Sequence, residues 1–174
     1  MKKITSALVL AFGLFIGTVS AQNISGKSAS VTVDGTSSLH DWTMSASTAT
    51  FSGTVNGNAI NNVKFAMPTK NLKSKKGKMM DNKAYNALNA DKAPNITFTA
   101  SSINVGKGNA TGQLSIAGTT KNVTFPVSVS KSGNAYTISG NTTVKMSDYG
   151  MKTPGFMGVK TGDAVTIKVN IVAE

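Results

Sequence analysis

A chain of 174 residues, 40% hydrophobic and without cysteine, is long enough for one domain whose core is held by burial and needs no disulfide. All 18 of its basic residues are lysine against 7 acids, a net charge of +11. With no arginine to read bases and no aromatic cluster to stack on them, that charge points away from nucleic acid and toward anionic surfaces such as lipid headgroups.

The chain opens with Lys2 and Lys3, the apolar run Ala7 to Ile16 and the small residues Val19-Ser20-Ala21, the three parts of an export signal. Residues 1–21 are therefore set aside, and residues 22–174 are expected as one domain, periplasmic or secreted after cleavage near Ala21. No later stretch approaches the roughly 18 apolar residues of a membrane-spanning helix.

Strand patterns follow. Val31 and Val33 alternate with Thr32 in a first strand stopped by Asp34-Gly35. In the second, Trp42, Met44 and Ala46 share one parity while Ala49, Phe51 and Val55 share the other, which places a bulge or bend at Ser47-Thr48. Asn56-Gly57-Asn58 is a hairpin turn, and Val63, Phe65 and Met67 form a third strand closed by Pro68.

Residues 69–94 break the pattern. Asp81 reads as an N-cap with Met80 and Tyr85 as a hydrophobic staple, and Ala84, Ala87 and Leu88 make a short helical stripe that ends before Pro94. A helix this short needs packing against the sheet. Strands resume with Ile96, Phe98 and Ala100, then Ile103 and Val105 on the other parity after a bend at Ser101-Ser102. Leu114 and Ile116 form the next strand, Gly118 to Asn122 supply a turn, and Val123, Phe125, Val127 and Val129 follow. Tyr136, Ile138, Val144 and Met146 share one parity in a long strand. Residues 148–163 read as a Gly- and Lys-rich loop, and Val165, Ile167, Val169 and Ile171 form the last strand. Eight strands with one-sided burial, two of them bent, predict an all-β fold: an eight-stranded antiparallel barrel with one short inserted α-helix.

These residues also carry a family resemblance. The stretch Gly112 to Val127, GQLSIAGTTKNVTFPV, is similar to the G-x-L-T-I-x-G-x-T-K-x-V-x-x-P-V signature of the YceI-like proteins. The order of Asn71-Leu72-Lys73-Ser74, Met80-Asp81, Ala84-Tyr85, Ala87-Leu88 and Ala93-Pro94-Asn95-Ile96-Thr97-Phe98 resembles the same family, as does Ser147-Asp148-Tyr149-Gly150-Met151. The resemblance implies a lipocalin-like barrel that holds a polyisoprenoid or similar amphiphile. The chain departs from the family pattern at Ser37-Ser38-Leu39-His40-Asp41-Trp42, at Ala117 where His is frequent, and at Asn122 where Pro is frequent. Those departures bear on ligand identity more than on fold.

Chemistry has few residues to work with. His40 is the single histidine, Glu174 the single glutamate, and no nucleophile elbow is present, so no enzyme is expected. The spacing of His and Asp matches neither a zinc nor a calcium site, and no cofactor is expected beyond a bound isoprenoid or fatty-acid-like ligand. Met146, Met151 and Met157 supply thioethers for a Cu(I) carrier as a lesser alternative. The leading site is apolar: Trp42, Met44, Phe51, Phe65, Met67, Phe98, Leu114, Ile116, Phe125, Ile138, Val144 and Met146 hold the buried parity of successive strands and would point inward together on closure. The other outcome is a protein-binding or stress-associated barrel with a solid core, and periodicity does not separate the two. Lys70, Lys73, Lys75, Lys76 and Lys78 crowd the loop before the helix, where they would flank a mouth, meet a headgroup and make transient contact with an anionic membrane, or else form a solvated loop. The chain is expected as a monomer or homodimer.

Overall fold

The computed structural model describes residues 21–153, 155–156 and 159–174. Residues 1–20 of the expected export signal, and Met157, lie outside the described residues. The elements are β1 (Gln22–Ser37), β2 (Trp42–Ala46), β3 (Thr50–Asn56), β4 (Ala59–Pro68), β5 (Lys73–Ser74), α1 (Lys78–Ala87), β6 (Asn95–Asn104), β7 (Gly106–Ile116), β8 (Thr119–Ser132), β9 (Ala135–Lys145), β10 (Gly155–Phe156) and β11 (Val159–Ala173). Two 3-10 turns, Thr69–Asn71 and Met146–Tyr149, complete the fold.

Every pairing is antiparallel, and β11 returns to β1 over Gly26↔Ala173 to Ser37↔Thr161, so the sheet closes on itself. Both β2 and β3 pair with β1, which makes them the halves of one bent strand. Counted that way the wall has eight strands, with β5 and β10 as two-residue additions on β2 and β11. The expected bends are present. Ala46 and Phe51, of opposite parity, are both buried on either side of Ser47-Thr48, and so are Ala100 and Ile103 on either side of Ser101-Ser102. A further bulge sits where Gly53 faces both Asn62 and Val63, with Asn62 at φ 52°. A β-carbon on Gly53 would come within 2.5 Å of Ile60 Cγ2, so glycine is what lets the fully buried Ile60 fill that corner.

Several boundaries differ from the sequence reading. The first strand does not stop at Asp34-Gly35, because those residues pair with Thr43 and Trp42 on one side and with Thr166 and Val165 on the other. The hairpin turn after Ile116 is only Ala117-Gly118, at φ 53° and 84°, and Thr119 to Asn122 already belong to β8. The late loop is shorter than residues 148–163, since β11 starts at Val159 and pairs there with β10. Asp81 is not the N-cap. Gly77 occupies that position, and Asp81 lies buried inside the first turn with Oδ1 accepting the Ser74 N–H at 2.6 Å. Met80 and Tyr85 therefore do not hold staple positions.

Thr69, itself buried, explains how the helical insertion is seated. Its N–H donates to Pro94 O at 2.8 Å and its hydroxyl to Ala93 O at 2.9 Å, tying the two ends of the excursion together. Tyr85 hydroxyl lies 2.9 Å from Lys70 O and 3.0 Å from Leu72 O, so the helix is bonded back to the segment that leads into it. The insertion is a closed flap over one end of the barrel.

Candidate functional site

Inside the barrel the buried side chains form two layers. Ile24, Phe51, Val55, Ile60, Ile103, Val129, Tyr136 and Ile138 pack in one, and Val31, Met44, Met67, Leu72, Leu88, Leu114, Ile116 and Tyr149 in the other. Phe65, Phe98 and Val169 pack against both. Between them lies a cavity of about 180 Å³. All twelve residues expected inside line it: Trp42, Met44, Phe51, Phe65, Met67, Phe98, Leu114, Ile116, Phe125, Ile138, Val144 and Met146. The Phe98 and Phe125 rings meet at 5.2 Å between centroids and 58° between planes, a tilted aromatic pair that fixes one wall.

The lining also includes residues that strand parity alone does not find. Leu72, Ala84, Ala87 and Leu88 come from the flap, and Tyr149 and Met151 from the turn after β9. Their clue was the helical stripe and the Ser147 to Met151 motif, which gave positions along the chain but not their place over the barrel end. Polar lining is confined to Asn141 and Thr142 among the described residues. Buried side-chain polar atoms all have partners there, so nothing in the wall asks for a polar ligand.

The second cover is pinned electrostatically. Asp163 accepts from Ser147 N–H at 2.8 Å and Ser147 hydroxyl at 2.6 Å, and these bonds hold its carboxyl below the usual carboxylate range. Gly150, left-handed at φ 68°, ends that turn, and burial, with the Asp148 charge beside it, pushes the Tyr149 phenol up. Trp42 is seated by Gly35, where a β-carbon would collide with its ring at 2.2 Å, and by its Nε1–H donating to Thr36 O at 3.1 Å.

The five lysines before the helix do not converge on one point. Lys70 pairs with Asp91 at 2.7 Å, and that ammonium lowers the Asp91 carboxyl pKa. Lys73 donates to Tyr85 hydroxyl at 2.6 Å, which raises the Lys73 pKa, and its Nζ sits 3.9 Å from Asp81 Oδ2. Lys76 meets His40 Nε2, while Lys75 and Lys78 are exposed. Met146 and Met151 are part of the cavity wall. Among the described residues no three His, Asp or Glu side chains gather as a metal-binding group.

A family model described as YceI-like domain matches residues 4–173. Among solved structures, Burkholderia cenocepacia BcnA is similar at 20% identity and TM-score 0.69, covering 83% of this chain and 95% of that one. A polyisoprenoid binding domain from Saccharophagus degradans, implicated in plant cell wall breakdown, is similar at 10% identity and TM-score 0.69, covering 87% and 97%. The YceI protein of Campylobacter jejuni is similar at 18% identity and TM-score 0.57, covering 99% and 97%. No curated protein sequence matches the chain.

Proposed function

The chain belongs to the YceI-like family, and from that premise we propose that it binds and carries, without chemistry on its ligand, a long-chain amphiphile of the polyisoprenoid kind in the periplasm. The observation that carries this reading is the barrel cavity, which takes apolar lining from every wall strand and from both covers. The name of the Saccharophagus domain supports the ligand class.

The mechanism is tail burial. At roughly 10–15 Å³ for each water-sized position, the cavity has roughly 12–18 such positions, room for a tail of roughly ten to twelve carbons. At about 0.8 kcal/mol per CH₂ taken from water, such a tail contributes about 8–10 kcal/mol before the cost of ordering it. No polar contact is required for binding, and selectivity follows from tail shape against Phe98, Phe125 and the methionines, whose flexible thioethers adapt to branching. The polar end stays by the flap. An exported location agrees with the Lys2-to-Ala21 pattern.

Trp42 is the one tryptophan and lines the cavity, so its fluorescence reports occupancy. Titration of the delipidated protein with a short isoprenoid alcohol is expected to shift the Trp42 emission in a saturable way, with affinity rising as carbons are added up to roughly a dozen. A response that does not saturate, or affinity indifferent to tail length, would overturn the proposal and favour a filled core with a protein partner.

A further inference from the structure

Two large apolar side chains stand in water among the described residues: Leu39 is 72% exposed and Met79 68%. Singly they would need no explanation. The structure brings them to one rim. Leu39 precedes His40, whose Nε2 meets Lys76 Nζ across the gap between the β1–β2 loop and the flap. Met79 follows three residues after Lys76, in the first turn of α1, where Met80 N–H donates to Gly77 O at 3.0 Å. Ser38 N–H donates to Lys160 O at 2.9 Å and Lys160 N–H to Ser38 Oγ at 3.1 Å, which brings the start of β11 to the same edge.

Charge follows the same geography. Lys75, Lys76 and Lys78 are chain neighbours of Met79, Lys160 is bonded to Ser38 beside Leu39, and all four are exposed. Asp41 is the exposed acid beside them, whereas Asp81 is turned inward onto the Ser74 N–H. Two separated apolar tips flanked by exposed lysines match a surface that is negative outside and apolar a few ångströms below. A nucleic acid would reward the lysines but not Leu39 and Met79.

We propose that this rim is a docking face for an anionic phospholipid bilayer, with Leu39 and Met79 entering the headgroup boundary and the lysines on the phosphates. Docking there sets the flap over the cavity against the membrane. The purpose rests on the lipid-carriage reading, but the surface is testable by itself.

The test is co-sedimentation of residues 22–174, which contain the closed barrel, with vesicles of phosphatidylcholine alone or with one third phosphatidylglycerol. Binding is expected with phosphatidylglycerol and is expected to weaken at least tenfold without it. Each lysine near an anionic surface is worth roughly fivefold, so Lys75→Gln with Lys76→Gln and Lys78→Gln is expected to lose affinity by roughly a hundredfold. Leu39→Ser with Met79→Ser is expected to lose roughly tenfold or more, with an unchanged melting temperature. Lys107→Gln with Lys131→Gln, at the far end of the barrel, is expected to change binding far less. Equal loss from the far-end pair, or no loss from the apolar pair, would overturn the docking face. Failure to bind vesicles with isoprenoid uptake intact overturns docking alone, and vesicle binding without uptake overturns carriage alone.

Discussion

The two ends of this barrel are finished in different ways. At one, Ile24, Val55, Ile60, Ile103, Val129, Tyr136 and Ala173 come from the strands themselves and meet beside the Gly57 and Gly133 turns. At the other, strand residues such as Met44, Leu114 and Ile116 stop short, and the gap is covered by Leu72 and Leu88 from the flap and Tyr149 from the turn after β9. The first end is sealed by the ladder that makes the fold, and the second by segments that hang from it through a few hydrogen bonds. On the proposed lipid-carriage reading, stability and ligand access fall to opposite ends.

The largest effect that separates them is expected at the sealed end. Ile60, with 0% exposure, and Tyr136, with 1%, leave cavities when truncated. Ile60→Ala is expected to cost about 2–5 kcal/mol and Tyr136→Ala about 3–5 kcal/mol in urea unfolding, with isoprenoid affinity of the folded fraction unchanged. A cost below about 1 kcal/mol at both would show that the covered end carries the stability instead. Filling the void inverts the pattern. Val144→Phe adds a ring to a half-buried position on the cavity wall and is expected to cost no more than about 3 kcal/mol, while lowering Trp42-reported affinity at least tenfold.

The attachment of the flap offers a smaller lever. Asp81→Ala strands the Ser74 N–H and one partner of Lys73, a cost of about 1–3 kcal/mol. It is expected to appear mainly as faster amide hydrogen exchange in α1 and faster ligand exchange. If global unfolding moves by the same amount while α1 exchange does not, the flap is part of the main cooperative unit.

The smallest effect is a pH dependence of the other cover. Because the Ser147 bonds lower the Asp163 pKa in the folded state, their contribution is fully present above the ordinary carboxylate value of about 3.9 and is lost as pH falls through the lower folded value. The Ser147 amide resonance is therefore expected to stay constant through neutral and mildly acid pH and to move only in strong acid. A midpoint above the ordinary carboxylate value would contradict the assigned bonds.

Much of the wall was legible because inward residues must repeat every second position, and the parity switches at Ser47-Thr48 and Ser101-Ser102 wrote its bends into the chain. The polar flanks were not. Gln22 to Ser30 and Val159 to Asp163 have no alternation to announce a strand, and they extend because β3, β11, β1 and β10 offer them hydrogen-bond partners. Strand membership there belongs to the neighbour. The short turn was hidden because Ala117 takes a left-handed φ that an alanine rarely adopts. Asp81 looked like a cap because capping and bonding back to Ser74 demand the same residue type. The twelve wall residues were readable one by one, while the cover residues required knowing that residues 69–94 fold back over the barrel.

The most direct test of the central claim is native mass spectrometry of the protein purified without detergent from its native cells, followed by solvent extraction. The account expects one adduct of several hundred daltons that extracts and fragments as a prenyl or acyl chain. A clean unliganded mass, unchanged after incubation with isoprenoid quinones and fatty acids, would contradict it.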